Sequence, residues 1–257
     1  MFERVQKPFL TVDTGEAYQP IRLTYDLLNS NQFIQALEQL QCIERNATPH
    51  SWNWYWRAEC DDVHFESIQF FEKKDRLIRL GTFILSDGKV YLNLTSFKRA
   101  CLATSFFRRY LNENIICIHV ADFINKVFAE DERVPSGLSE LFKEDELNTI
   151  LNQRIEDYAD VQARCEEAET AEDAARCIAE YTETESKKRL PYAERYLFDA
   201  HQKTDLDVAY LSFYIYLRGR ELVAIKRWFG ETSYSLSDVA NDCMGQALNE
   251  VSLDSIK

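Results

Sequence analysis

The stretch Leu80-Gly81-Thr82-Phe83-Ile84-Leu85-Ser86-Asp87-Gly88-Lys89-Val90-Tyr91-Leu92-Asn93-Leu94 decides the fold. Two β-prone runs flank Asp87-Gly88, a pair that supplies the positive φ angles of a two-residue type I′ turn. That turn sets the register, with Ser86 opposite Lys89, Leu85 opposite Val90 and Phe83 opposite Leu92. Phe83, Leu85, Val90 and Leu92 then share one face, while Ile84 and Tyr91 share the other.

Upstream, Ser51-Trp52-Asn53-Trp54-Tyr55-Trp56-Arg57 alternates with period two, so residues 51–95 read as an antiparallel meander. Before it, residues 31–44 place Phe33, Leu37, Leu40 and Ile43 at helical spacing behind Asn29 or Ser30 as a cap. Downstream, Ser96 is the expected cap of a helix over 96–110, with Phe97, Ala100, Cys101 and Thr104 along one side. The uninterrupted apolar run 115–120 predicts a central strand, and Asp122 is placed to cap a short helix over 123–128.

Residues 138–190 read as an αα-hairpin. Leu147, Ile150 or Leu151, Ile155 or Arg154, Tyr158, Val161 or Gln162, and Cys165 trace a stripe near heptad spacing. Thr170-Ala171-Glu172-Asp173 resembles a capping box opening a second helix through Ala174, Ile178 and Tyr181. Between Glu156 and Glu185 stand eleven acidic residues against Arg164 and Arg176, a net charge of −9 in a chain whose total is −13. Further on, the spans 207–218 and 221–229 alternate around Gly219-Arg220, which predicts a second β-hairpin, and a final helix over 237–251 has Ser235 or Ser237 as its cap.

These elements predict an α+β fold: a mainly antiparallel sheet built from the meander and a C-terminal hairpin, packed by helices and carrying an acidic αα-hairpin insertion. Residues 1–137 and 191–257 would form one composite domain around the helical insertion 138–190.

With 257 residues, 46% of them hydrophobic, and only 7 Gly and 5 Pro, the chain has the material for a core and is a poor candidate for disorder or low complexity. No segment has the roughly 18 uninterrupted apolar residues of a membrane helix, and the first residues carry no export signal. The seven cysteines, odd in number and set in apolar patterns, suit a reducing compartment, so a cytoplasmic location is expected. A charge of −13 opposes general nucleic-acid binding. The best basic patch is Lys98, Arg99, Arg108 and Arg109.

The glycine spacing writes no dinucleotide fingerprint, P-loop or nucleophile elbow, and neither C-x-x-C nor H-E-x-x-H occurs, so no cofactor is predicted. Asp62, His64 and Glu66 would share one face of an extended segment, a set suited to a divalent ion; the favoured reading of Asp61-Asp62 is a turn between two strands, since turns collect Asp for backbone hydrogen bonds. His119, with Asp122 nearby, is either a general acid or base or a hydrogen-bonded core imidazole. Trp52, Trp54 and Trp56 form a stripe that is either core or an open platform, with Arg57 beside it to neutralise an anionic group. Tyr214, Tyr216, Arg218 and Arg227 would line a second surface.

The function expected from these features is non-catalytic. The chain would be a protein-binding, regulatory or assembly factor that engages a protein partner, a basic one by charge complementarity, through the acidic hairpin and an aromatic sheet face. The alternatives are a sensor holding a small planar or anionic ligand on the tryptophan stripe, and a metal-assisted enzyme using Asp62, His64 and Glu66.

Overall fold

The computed structural model describes residues 8–60, 63–65, 77–134, 144–198 and 206–243. In chain order the main elements are β1 (Ile21–Leu27), α1 (Ser30–Gln39), β2 (Ile43–Arg45), β3 (Ser51–Tyr55), β4 (Arg79–Ser86), β5 (Lys89–Leu94), α2 (Phe97–Arg108), β6 (Ile116–Ile124), α3 (Glu144–Glu166), α4 (Ala171–Lys187), β7 (Ala193–Leu197) and α5 (Leu206–Trp228). The fold is α+β. Contacts divide the chain into two compact units, Met1–Lys143 with Ala193–Leu217, and Glu144–Tyr192 with Arg218–Lys257.

The first unit is organised by a seven-stranded antiparallel sheet in the order β2-β3-β4-β5-β1-β6-β7. The β4–β5 turn has the expected register, and Asp87 and Gly88 take the positive φ values, 52° and 71°, that such a turn requires. Strand β1 lies between β5 and β6, because Ile21, Leu23 and Tyr25 alternate with Arg22, Thr24 and Asp26 and so match the pleat of both neighbours. Strands β1, β2 and β7 extend the sheet beyond what the meander predicts.

One face of the sheet is apolar and covered. Trp52, Trp54, Phe83, Leu92, Leu23 and Phe123 are buried there. Phe33 of α1 meets Trp52 and Phe83 edge-on at 5.9 and 6.0 Å, while Phe106 of α2 stacks on Trp54 at 5.5 Å and Phe107 meets it at 4.9 Å. Toward β7, Tyr196 packs on Phe213 of α5. Each such side chain contributes roughly 1.5–3 kcal/mol by leaving water.

The other face carries a polar row across all seven strands: Glu44, Asn53, Thr82, Asn93, Arg22, Asp122 and Arg195 stand in successive register. Thr82 Oγ1 donates to Asn53 Oδ1 (3.1 Å), Arg22 Nε to Asn93 Oδ1 (3.1 Å), and Arg195 grips Asp122 with Nε at 2.6 Å and Nη2 at 3.0 Å. Period-two alternation thus separates a dry face from a hydrogen-bonded one.

Three expectations are corrected. Residues 206–228 form the continuous helix α5, not a β-hairpin. Within 207–217 the buried side chains are Ala209, Phe213 and Leu217, a spacing of four; the intervening aromatic and β-branched residues mimic strand alternation without deciding it. Gly219 supplies closeness, not a turn, since a Cβ there would stand 3.2 Å from Leu236 Cδ2. The first helix stops at Gln39, so that Ile43 enters β2. Asp122 caps no helix: it lies within β6, the last strand but one, and is held by Arg195. The closing helix begins at 236, where Ser235 N and Oγ both donate to Asp238 Oδ2 (2.8 and 2.6 Å); positions 244–251 lie outside the described residues.

Gly81 sits opposite both Trp54 and Leu94, and a Cβ there would come within 2.6 Å of Leu94 Cδ2 and 3.0 Å of the Asn93 carbonyl. Gly81→Ala is expected to destabilise the chain by about 1–3 kcal/mol, read as a lower urea midpoint with unchanged slope. An unaltered midpoint would show that the strands shift without cost.

Candidate interaction surface

The tryptophan stripe is core. Trp52 and Trp54 are 1% and 0% exposed, and Trp56 is buried as well. Trp54 Nε1 donates to Cys60 Sγ at 2.9 Å, and Trp56 Nε1 to the Cys60 and Val63 carbonyls, each at 3.1 Å. The reading of these rings as a ligand platform is therefore corrected: helices α1 and α2 occupy the surface a ligand would need. Arg57 is committed too, donating to the Gln41 carbonyl at 2.7 Å, pairing with Glu44 at 3.4 Å and lying over the Tyr55 ring.

The second predicted surface does not assemble, because a helix turns its members to different sides. Tyr216 faces the sheet, where its hydroxyl donates to Glu194, while Tyr214 is exposed. Arg218 pairs with Glu221 one turn on, and Arg227 Nε donates to the Tyr234 carbonyl at 2.8 Å. His119 is neither core nor joined to Asp122. A register shift between Thr24 and Tyr25 sets it half exposed, its Nδ1 3.9 Å from Asp26 Oδ2. Of the basic patch, Arg99 is buried and donates to Thr14 and Thr95 hydroxyls, while Arg108 pairs with Asp207.

Of the metal candidates, His64 is exposed, whereas Asp62 and Glu66 lie outside the described residues. Among the described residues, no cluster of three His, Cys, Asp or Glu side chains could hold an ion, and no helix is long and apolar enough to cross a membrane.

The hairpin of α3 and α4 forms as its sequence directs. Thr170 caps α4: its Oγ1 accepts from Asp173 N at 3.1 Å and donates to Asp173 Oδ2 at 2.7 Å, and that acid also suits the positive end of the helix dipole. Leu147 and Val161 of α3 and Cys177 of α4 are buried. Cys165 lies against α4 with its Sγ 3.7 Å from the Ala174 carbonyl, and burial together with the neighbouring Cys177 raises its thiol pKa. Ion pairs cross the seam from Arg164 to Glu180 (3.7 Å) and from Lys188 to Asp157 (3.6 Å). Arg176 pairs with Asp173, and Lys187 with Glu183, holding the Glu183 carboxyl below its ordinary range. These cations are thus already engaged by acids of the hairpin, so its surplus charge is negative.

None of the eleven acids between 156 and 185 is buried; eight are exposed, and Asp157, Asp173 and Glu185 are partly so. The apolar stripe is redistributed. Ile155, Tyr158 and Ile178, expected in the seam, are 53%, 62% and 53% exposed, and Cys177 takes the seam position on α4. Heptad spacing alone does not separate Ile155 from Arg154, which stand about 100° apart on a helix.

No protein-family model, curated protein or solved structure matches the chain.

Trp52, Trp54 and Trp56 are buried while Trp228 is partly exposed, so in a Trp228→Phe variant acrylamide should quench native fluorescence weakly, rising severalfold on unfolding in urea. Strong quenching of that folded variant would show that the stripe is open.

Proposed function

We propose that the protein is a non-catalytic binding or assembly factor that presents its acidic helical hairpin to a basic partner protein. One observation carries the reading: the −9 segment between Glu156 and Glu185 keeps every carboxylate at least partly exposed, and its two cations, Arg164 and Arg176, are drawn into pairs with Glu180 and Asp173 of the same hairpin. A solvated charged helix needs no such excess of one sign. Clustered like charge raises the local potential, speeds encounter with an opposite surface and repels acidic competitors. The missing local motifs for nucleotide, hydrolase and zinc chemistry favour the same reading.

The exposed acids Glu156, Asp160, Glu167 and Glu169, changed together to Gln or Asn, test it in the full chain. The folded signal should be unchanged, while recovery of the partner in co-purification with mass spectrometry should fall roughly tenfold or more. Wild-type recovery should fall likewise as salt rises from about 0.05 to about 0.3 M, because exposed charges are screened over roughly 10 Å or less. Equal recovery by both chains would remove the proposal.

A further inference from the structure

Whatever the hairpin engages, we infer that a cavity in the first unit, walled by Tyr25, Phe107, Ile118, Phe198 and Tyr210, binds a small uncharged apolar molecule whose one hydrogen-bond acceptor is met by the Tyr25 hydroxyl.

The cavity holds about 530 Å³, within the range of small-molecule sites, and every residue lining it belongs to the first unit. Its floor is the covered face of the sheet, where Tyr25 follows Ile21 and Leu23 along β1 and Ile118 of β6 stands opposite Tyr25. Helix α2 supplies Phe107 and Arg108, and the chain just past its end supplies Leu111. Phe198 follows β7, while Ala209 and Tyr210 come from the start of α5. Arg108 links the two helices, pairing with Asp207 and lying 5.6 Å from the centre of the Tyr210 ring. The cavity is thus bordered by the end of one helix and the beginning of another.

One polar group in its wall points to a ligand. The Tyr25 hydroxyl is buried and has no hydrogen-bond partner, a costly condition that packing does not explain, because Phe would fill the same place without it. Burial raises the pKa of Tyr25 and of Tyr210, so both phenols keep their protons, and a group that satisfies Tyr25 as a donor is an acceptor. The rest of the inner wall is apolar: Phe107, Leu111, Ile116 and Ala209 are buried, and Ile118 and Phe198 partly so.

Charge stands at the rim. The register shift beside Tyr25 leaves His119 as an extra residue between Ile118 and Val120, half exposed with Asp26, and Glu113 is exposed. Arg108, the only Lys or Arg among the described residues of the wall, is already paired with Asp207, and His119 has Asp26 at 3.9 Å. An anion would therefore meet carboxylates and cations already engaged. A cation would give up its hydration to an apolar wall. An uncharged molecule with one acceptor avoids both costs.

The test uses the full chain and prodan, an uncharged naphthalene bearing a propionyl and a dimethylamino group, whose emission shifts to the blue on leaving water. Titration should show one saturable site with blue-shifted emission. Tyr25→Phe should weaken it about fivefold or more and leave the folded chain at least as stable, since it removes an unpaired hydroxyl. A merely structural hydroxyl would give lower stability and unchanged affinity. Ala209→Leu, which fills the cavity, should weaken binding about tenfold or more. Anilinonaphthalene sulfonate, an anion on the same ring system, should bind at least about tenfold more weakly than prodan. No saturable binding by wild type, equal affinity in Tyr25→Phe, or equal or tighter binding of the sulfonate overturns the assignment. Binding that ignores Ala209→Leu lies elsewhere on the molecule and overturns it too; if that variant fails to fold, Tyr25→Phe decides alone.

Discussion

Close packing of the β3–β4 ladder against α2 is the constraint from which the first unit follows. Trp54 stacks on Phe106, touches Phe107 edge-on and gives its ring N–H to Cys60. A ring of that size fits at its station because the residue opposite it is Gly81, where the approach of Leu94 and the Asn93 carbonyl leaves no room for a Cβ. The sheet therefore pairs its largest side chain with its smallest, as dense interiors demand. Helix α2 owes its position to this fit, and its buried Arg99 ties the turn at Thr14 to the ends of β4 and β5 through five bonds, including the Arg79 and Leu80 carbonyls. A buried guanidinium is tolerable only when its donors are met in this way.

The distribution of charge follows a different logic from the distribution of apolar area. In the first unit, charged side chains near the sheet are consumed locally: Asp122 by Arg195, Glu194 by Asn125 and Tyr216, Arg57 by Glu44. In the hairpin, the few cations are consumed and the acids are left in excess. That contrast makes the hairpin the part of the chain whose surface is hardest to explain by folding alone.

Much of the architecture was legible where local chemistry leaves one solution. Asp87-Gly88 dictated its turn and register, Ser96 its helix, and Thr170 its cap, because each rests on contacts within a few residues. Helix α5 was not legible, since Tyr214, Ile215 and Tyr216 satisfy strand and helix preferences alike, and the choice was made by Phe213 and Leu217 meeting the sheet. The candidate surface was legible in its charge, a property of composition. Which apolar side chains faced outward was not, because Ile155 and Arg154 differ by about 100° in direction but by one place in sequence.

The sheet's two ends bear on how this protein meets others. One end is β2, three residues long and carrying Glu44 and Arg45; the other is β7, whose Glu194 and Arg195 are fixed by side chains of the same unit. Short, charged margins offer few free backbone groups for another chain to pair with. Augmentation by an incoming strand is thus discouraged at both margins.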